Sequence, residues 1–171
     1  MKFRPALLIG LGGYGSDIAR RMSATIRRPD APTSPLVGLI ELHDDGKLID
    51  GISGSEYGEI ALADAATYTA RFSAIAAGED AIEKAIVESL GQLRRREILL
   101  PLREQRVEVA GETALYFIAP LGDDVGSPAL IAFLEIVRRL TQSRLVGEKL
   151  HKTVLCFFPD LFPEHKDAEE P

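Results

Sequence analysis

The sequence predicts an α/β protein with a largely parallel, doubly wound sheet and helices on both of its faces. Three observations predict it. Short apolar runs alternate with longer segments of helical period, the pattern that builds a parallel sheet. The runs themselves, such as Ala6-Leu7-Leu8-Ile9 and Ala114-Leu115-Tyr116-Phe117-Ile118-Ala119, are apolar without strict alternation, as strands buried on both faces are. The first run also ends in a glycine-rich turn that opens directly into a helical pattern. Together these describe a Rossmann-like arrangement.

Taken in order, residues 7–10 read as a central strand. A helix follows from about residues 13–16, with Ile18, Met22 and Ile26 on one face, and Pro29 stops it. Residues 30–35 are loop-like by composition, and residues 36–42 form a second buried strand in which Gly38 marks a close approach or a bulge. Residues 51–58 look irregular, and residues 62–77 read as helix up to Gly78. The cleanest helix carries Ile82, Ile86, Leu90 and Leu93 on one stripe, with Glu79 and Asp80 at its start and Arg94-Arg95-Arg96 at its end. Residues 107–109 alternate, and residues 114–119 form a buried strand. A helix over about 128–140 follows, with Ser127 as N-cap and Pro128 in first position, packed on more than one side. The run Thr153-Val154-Leu155-Cys156-Phe157-Phe158 reads as a last buried strand. Residues 1–163 form one domain, and residues 164–171 are a charged, flexible tail.

The chain has 171 residues, enough for one domain with a sizeable core. A formal net charge of −6 argues against nucleic-acid binding, which needs a concentrated basic face. The one basic cluster, Arg94 to Arg96, suits the negative end of a helix dipole, with phosphate binding as the alternative. Cys156 is the single cysteine, so no disulfide forms within the chain, and the three histidines lack ligand spacing. No apolar stretch approaches the ~20 residues that span a bilayer, and a cytoplasmic location is expected.

In this fold class, ligands bind beyond the carboxyl ends of the strands. Three junctions lie there: residues 10–16, 42–46 and 122–127. At the first, Gly10, Gly12 and Gly15 satisfy G-x-G-x-x-G, and Gly13, Tyr14 and Ser16 complete the turn. Glycines let the backbone approach an anion, and the helix N-terminus directs its N–H groups at it. A dinucleotide site would add a carboxylate about 20 residues past the last glycine. Glu41 is the candidate for the ribose of NAD(P), at a wider spacing than that.

The opening stretch also resembles two further families. Gly-Leu-Gly-Gly-x-Gly-Ser looks like the start of ThiF-like, ATP-dependent adenylyltransferases, but residues 50–61 lack the Asn/Arg-rich signature that family carries. Arg4-Pro5-Ala6-Leu7-Leu8-Ile9-Gly10-Leu11-Gly12-Gly13-Tyr14-Gly15, followed by Ile18 and Arg20-Arg21, resembles the start of bacterial tubulin-like proteins of the tubulin/FtsZ superfamily. In the order of elements, the strand over 115–119, the loop over 122–127 and the next helix match that family's second glycine-rich loop. The exit Phe157-Phe158-Pro159-Asp160 is similar to its following strand.

The resemblance implies a GTP- or GDP-binding domain, truncated or degenerate, serving assembly or scaffolding through self-association or a protein partner. Gly122, Gly126 and Ser127 would then close the site opposite the first turn. Asp123, Asp124, Val125 and Pro128 stand where the family has Gly, Gly, Thr and Gly. Two carboxylates repel a triphosphate unless Mg bridges them to it. The family's hydrolytic loop lies beyond this stretch, so the resemblance implies a partial GTPase at most. The remaining alternative is an interaction module that holds no nucleotide.

Overall fold

A computed structural model describes residues 2–26, 34–43, 69–73, 78–122 and 125–158. Its centre is strand β2 (Ala6–Leu11), preceded by the short β1 (Lys2–Phe3) and followed without a break by helix α1 (Gly12–Ile26). A 3₁₀ turn (Ser34–Leu36) leads into β3 (Val37–His43), and β4 (Thr69–Ser73) comes next. Then follow α2 (Glu79–Gln92), α3 (Arg96–Glu104), β5 (Glu108–Val109), β6 (Glu112–Pro120), α4 (Gly126–Ser143) and β7 (Lys149–Phe157).

The five main strands are all parallel, in the order β4-β3-β2-β6-β7. The protein is therefore an α/β fold with a parallel sheet wound in both directions from β2. Odd and even residues of β2 serve opposite faces. Leu7, Ile9 and Leu11 meet α2 and α4 in the larger core, together with Leu115, Phe117, Phe133 and Val137. Leu8 joins Ala19, Val37, Leu39 and Ile118 beneath α1 on the other face. A third cluster, Leu36, Ile98 and Leu102, packs α3 against the β1–β5 pair at the N-terminal end of the sheet. Gly38 causes no bulge, since β2 and β3 pair in unbroken register from Ala6↔Val37 to Leu11↔Leu42.

Several elements depart from the sequence reading. Within the stretch expected to be helical over 62–77, Thr69–Ser73 is a strand paired with β3, and the rest of that stretch lies outside the described residues. The open edge of β3 offers a full row of backbone partners, which outweighs the helix preference of an alanine-rich segment. Helix α3 was not foreseen because Pro101 stands inside it. Proline removes one intrahelical bond and normally argues for a boundary. The burial of Ile98 and Leu102 holds this short helix together.

Helix α4 begins at Gly126, so Ser127 is inside the first turn and is not the N-cap. It buries one stripe, Leu130, Phe133, Ile136, Val137 and Leu140, and leaves Ile131 72% exposed, so it is not packed all round. The largest difference is β7, the edge strand. Val154, Leu155 and Cys156 are exposed, because β7 has a strand on one side only. An apolar run has the same composition at a sheet's centre and at its edge, so periodicity alone could not separate the two. Residues 159–171, including the expected tail, lie outside the described residues. Among the described residues, no helix is long and apolar enough to cross a membrane.

Candidate functional site

The strand order reverses direction between β2 and β6, and at that point a parallel sheet opens a crevice beyond its carboxyl ends. The two helices that begin there are α1 and α4. Their first turns meet at one residue, Pro120, the last of β6. A Cβ added to Gly15 would lie 2.4 Å from the Ile118 carbonyl oxygen and 3.4 Å from Pro120 Cδ. One added to Gly126 would lie 2.6 Å from both Pro120 Cδ and Cγ. These glycines bring the two helix N-termini onto either side of one strand end.

The glycines of the first turn divide their roles. Gly12 has φ of 71°, the left-handed conformation that a sharp strand-to-helix turn requires and a Cβ opposes. Gly10 is buried in helix–strand packing, with the Gly15 carbonyl oxygen and Ser16 Cα each 2.6 Å from where its Cβ would stand. It therefore supports the turn from below. Gly12 is itself buried, Gly13 is half-buried and Tyr14 is exposed, so the outer surface of the turn is Gly13-Tyr14. Neither α1 nor α4 carries an acidic residue in its first turn, which leaves the positive ends of both dipoles uncompensated within the helices.

Ser16 is fully buried, and its hydroxyl lies 3.2 Å from the Gly10 carbonyl oxygen and 3.1 Å from that of Leu42. It ties the ends of β2 and β3 together and offers no side chain to a ligand. Glu41 is likewise 0% exposed, and Arg20 Nε donates to its Oε1 at 2.9 Å. Arg20 reaches Asp17 Oδ1 as well, at 3.0 Å. A carboxylate so placed braces α1 against β3 and has no open edge for a ribose. The sequence reading missed Arg20 as its partner, although the separation of the two residues in the chain gave no local signal for the pair.

In the second loop, Gly122 has φ of 84°. Its N–H donates to Ser127 Oγ at 3.1 Å, and that hydroxyl in turn lies 3.2 Å from the Pro120 carbonyl oxygen. Ser127 thus closes the loop on itself. Asp123 and Asp124 lie outside the described residues. Among the described residues, no group of three His, Cys, Asp or Glu side chains could hold a metal ion. Among the described residues, what the crevice presents is main-chain N–H and helix dipole. Such a surface can hold an anion.

At the opposite, N-terminal end of the sheet, a cleft of about 530 Å³ lies between α3 and the segment around β5, with Arg94, Arg103 and Arg106 in its wall. Arg94, from the basic cluster at the end of α2, is fastened by bonds to the Ala110 carbonyl oxygen at 2.7 Å and Thr113 Oγ1 at 2.9 Å. Only one of the three clustered arginines is thereby explained as a structural brace.

By fold and site, this chain is a doubly wound parallel α/β domain with a glycine turn at its switch point. Comparison with known protein families, with curated proteins and with solved structures gives no match to it.

Proposed function

We propose that this chain is a nucleotide-binding domain of tubulin-like type that holds the phosphates of GTP or GDP at the turn over residues 12–14. Its role would be assembly or scaffolding, with no catalysis within the described residues. The observation that supports the reading is the meeting of the α1 and α4 N-termini at Pro120, directly beyond the central strand. Bare amides and two dipole ends favour a polyanion there. Glu41, already bonded to Arg20, is not available for the dinucleotide reading. Asp123 and Asp124 would repel the phosphates or recruit Mg, and no step is routed through that ion.

The test is calorimetric titration with GTP, GDP, ATP and NADH, with and without magnesium. Binding of GTP or GDP alone is expected. Gly12→Asp and Gly12→Asn strain the left-handed turn about equally, but only Asp adds a negative charge. Like charges at close range cost a few kcal/mol, so Asp should weaken GTP binding at least tenfold beyond Asn. Heat from NADH alone, or from none of the four, overturns the proposal.

A further inference from the structure

The residue that ends α3 is unusual for its place. Gln105 is the helix C-cap, and the next residue, Arg106, has φ of 58°. The Arg106 N–H donates to the Arg103 carbonyl at 2.9 Å, and the Val107 N–H donates to that of Leu102 at 2.8 Å. This is a Schellman closure, in which glycine normally takes the left-handed position because a Cβ is disfavoured there. Here an arginine takes it. Among the described residues, Arg106 is the one non-glycine with positive φ.

Arg106 lines the N-terminal cleft together with Arg103, three positions earlier in the chain, and Arg94. Arg94 is held in position by Ala110 and Thr113, so two of its five N–H groups are used. Arg103 and Arg106 make no ion pair among the described residues. Glu108 also lines the cleft, but it pairs with Lys2 across the β1–β5 sheet at 3.6 Å. The cleft is thus lined by three arginines and one carboxylate that already has a cation, in a chain whose net charge is −6. Leu99 and Val107 supply an apolar wall. The volume of about 530 Å³ falls in the range of small-molecule sites.

We propose that this cleft binds a small, multiply charged oxyanion of the phosphate class, gripped by Arg94, Arg103 and Arg106. It lies at the opposite end of the sheet from the glycine turn and does not depend on that turn holding a nucleotide. Planar guanidinium forks suit phosphate oxygens, and one fork that is pre-fastened loses less freedom on binding.

The probe is inorganic pyrophosphate, titrated calorimetrically at low salt into the full chain, with thermal melting in parallel. Wild type should bind one equivalent at the cleft. Arg106→Gly relieves the left-handed strain, so it should raise the melting temperature by a few degrees while weakening pyrophosphate binding tenfold or more. Arg103→Gln should weaken binding similarly, and Arg138→Gln, which removes an exposed cation on α4 outside the cleft, should leave it unchanged. The opposite movement of stability and affinity in Arg106→Gly is a result that a purely structural arginine cannot produce. The proposal is overturned if pyrophosphate does not bind. It is equally overturned if both cleft variants bind as wild type does, or if Arg138→Gln weakens binding as much as they do.

Discussion

The two ends of the sheet treat charge in opposite ways. At the carboxyl end, three described side chains that the sequence offers as ligand groups are bonded within the protein. Ser16 braces two strand ends, Ser127 closes its own loop, and Glu41 holds Arg20. Among the described residues, the turn shows solvent its backbone and the exposed Tyr14. At the N-terminal end, two arginine side chains stand in a cleft without ion-pair partners among the described residues, one of them on a backbone that would be more relaxed as glycine. The contrast teaches that a glycine motif and a ligand surface are different things. Most of the G-x-G-x-x-G residues here set the distance between helix and sheet, and only the outer turn is left to meet a ligand.

The sharpest way to break that comparison is to fill the packing glycines. Gly15→Ala places a methyl group 2.4 Å from the carbonyl oxygen of Ile118 in a central strand, where no side chain can rotate away. It should cost about 3 kcal/mol or more, measured by urea denaturation. Gly91→Ala, at an exposed position of α2 with nothing near its Cβ, should instead stabilise the protein by about 1 kcal/mol. Equal effects at the two positions would show that Gly15 is not a contact glycine.

Next in size is the brace beside it. Arg20→Ala removes the cation from a fully buried Glu41 carboxylate. Breaking a buried pair costs roughly 3–5 kcal/mol, and because Arg20 is itself 34% exposed, about 2 kcal/mol is expected here. Glu41→Gln together with Arg20→Ala should recover part of that loss. If the double variant is no better than the single one, the pair does not link α1 to β3.

These two sites show what the sequence could and could not convey. The parallel α/β class, strands β2, β3 and β6 and the stripe of α2 are all local patterns, and each was legible as periodicity or as a strand-turn-helix junction. The packing of Gly15 on Ile118 was not legible, because it joins residues about 100 positions apart. The same is true of Glu41, which looked like a ribose ligand until a partner on α1 was placed beside it. Thr69–Ser73 and β7 failed for a related reason. Strand identity in the first, and exposure in the second, are set by which neighbour lies alongside, and no local pattern records that. Arg106 is different again, since its chain context carries no glycine to announce a left-handed cap.

The smallest effect belongs to the N-terminal rim and tests whether its charges are coupled. Burial raises the carboxyl of Glu112, but His151 at 2.9 Å, Arg4 at 3.0 Å and Lys149 together outweigh it and hold the group below its ordinary value of 4.5. A carboxyl lowered in the folded state stabilises that state fully above its unfolded value. The contribution disappears as the pH falls through the lowered folded value. Wild type should therefore exceed Glu112→Gln in stability at pH 6, and the gap should close progressively below about pH 4.5. Because the cluster is exposed to solvent, salt should also shrink the gap at pH 6. A difference that persists unchanged into strong acid would mean that Glu112 acts through packing between β6 and β7 and not through its charge.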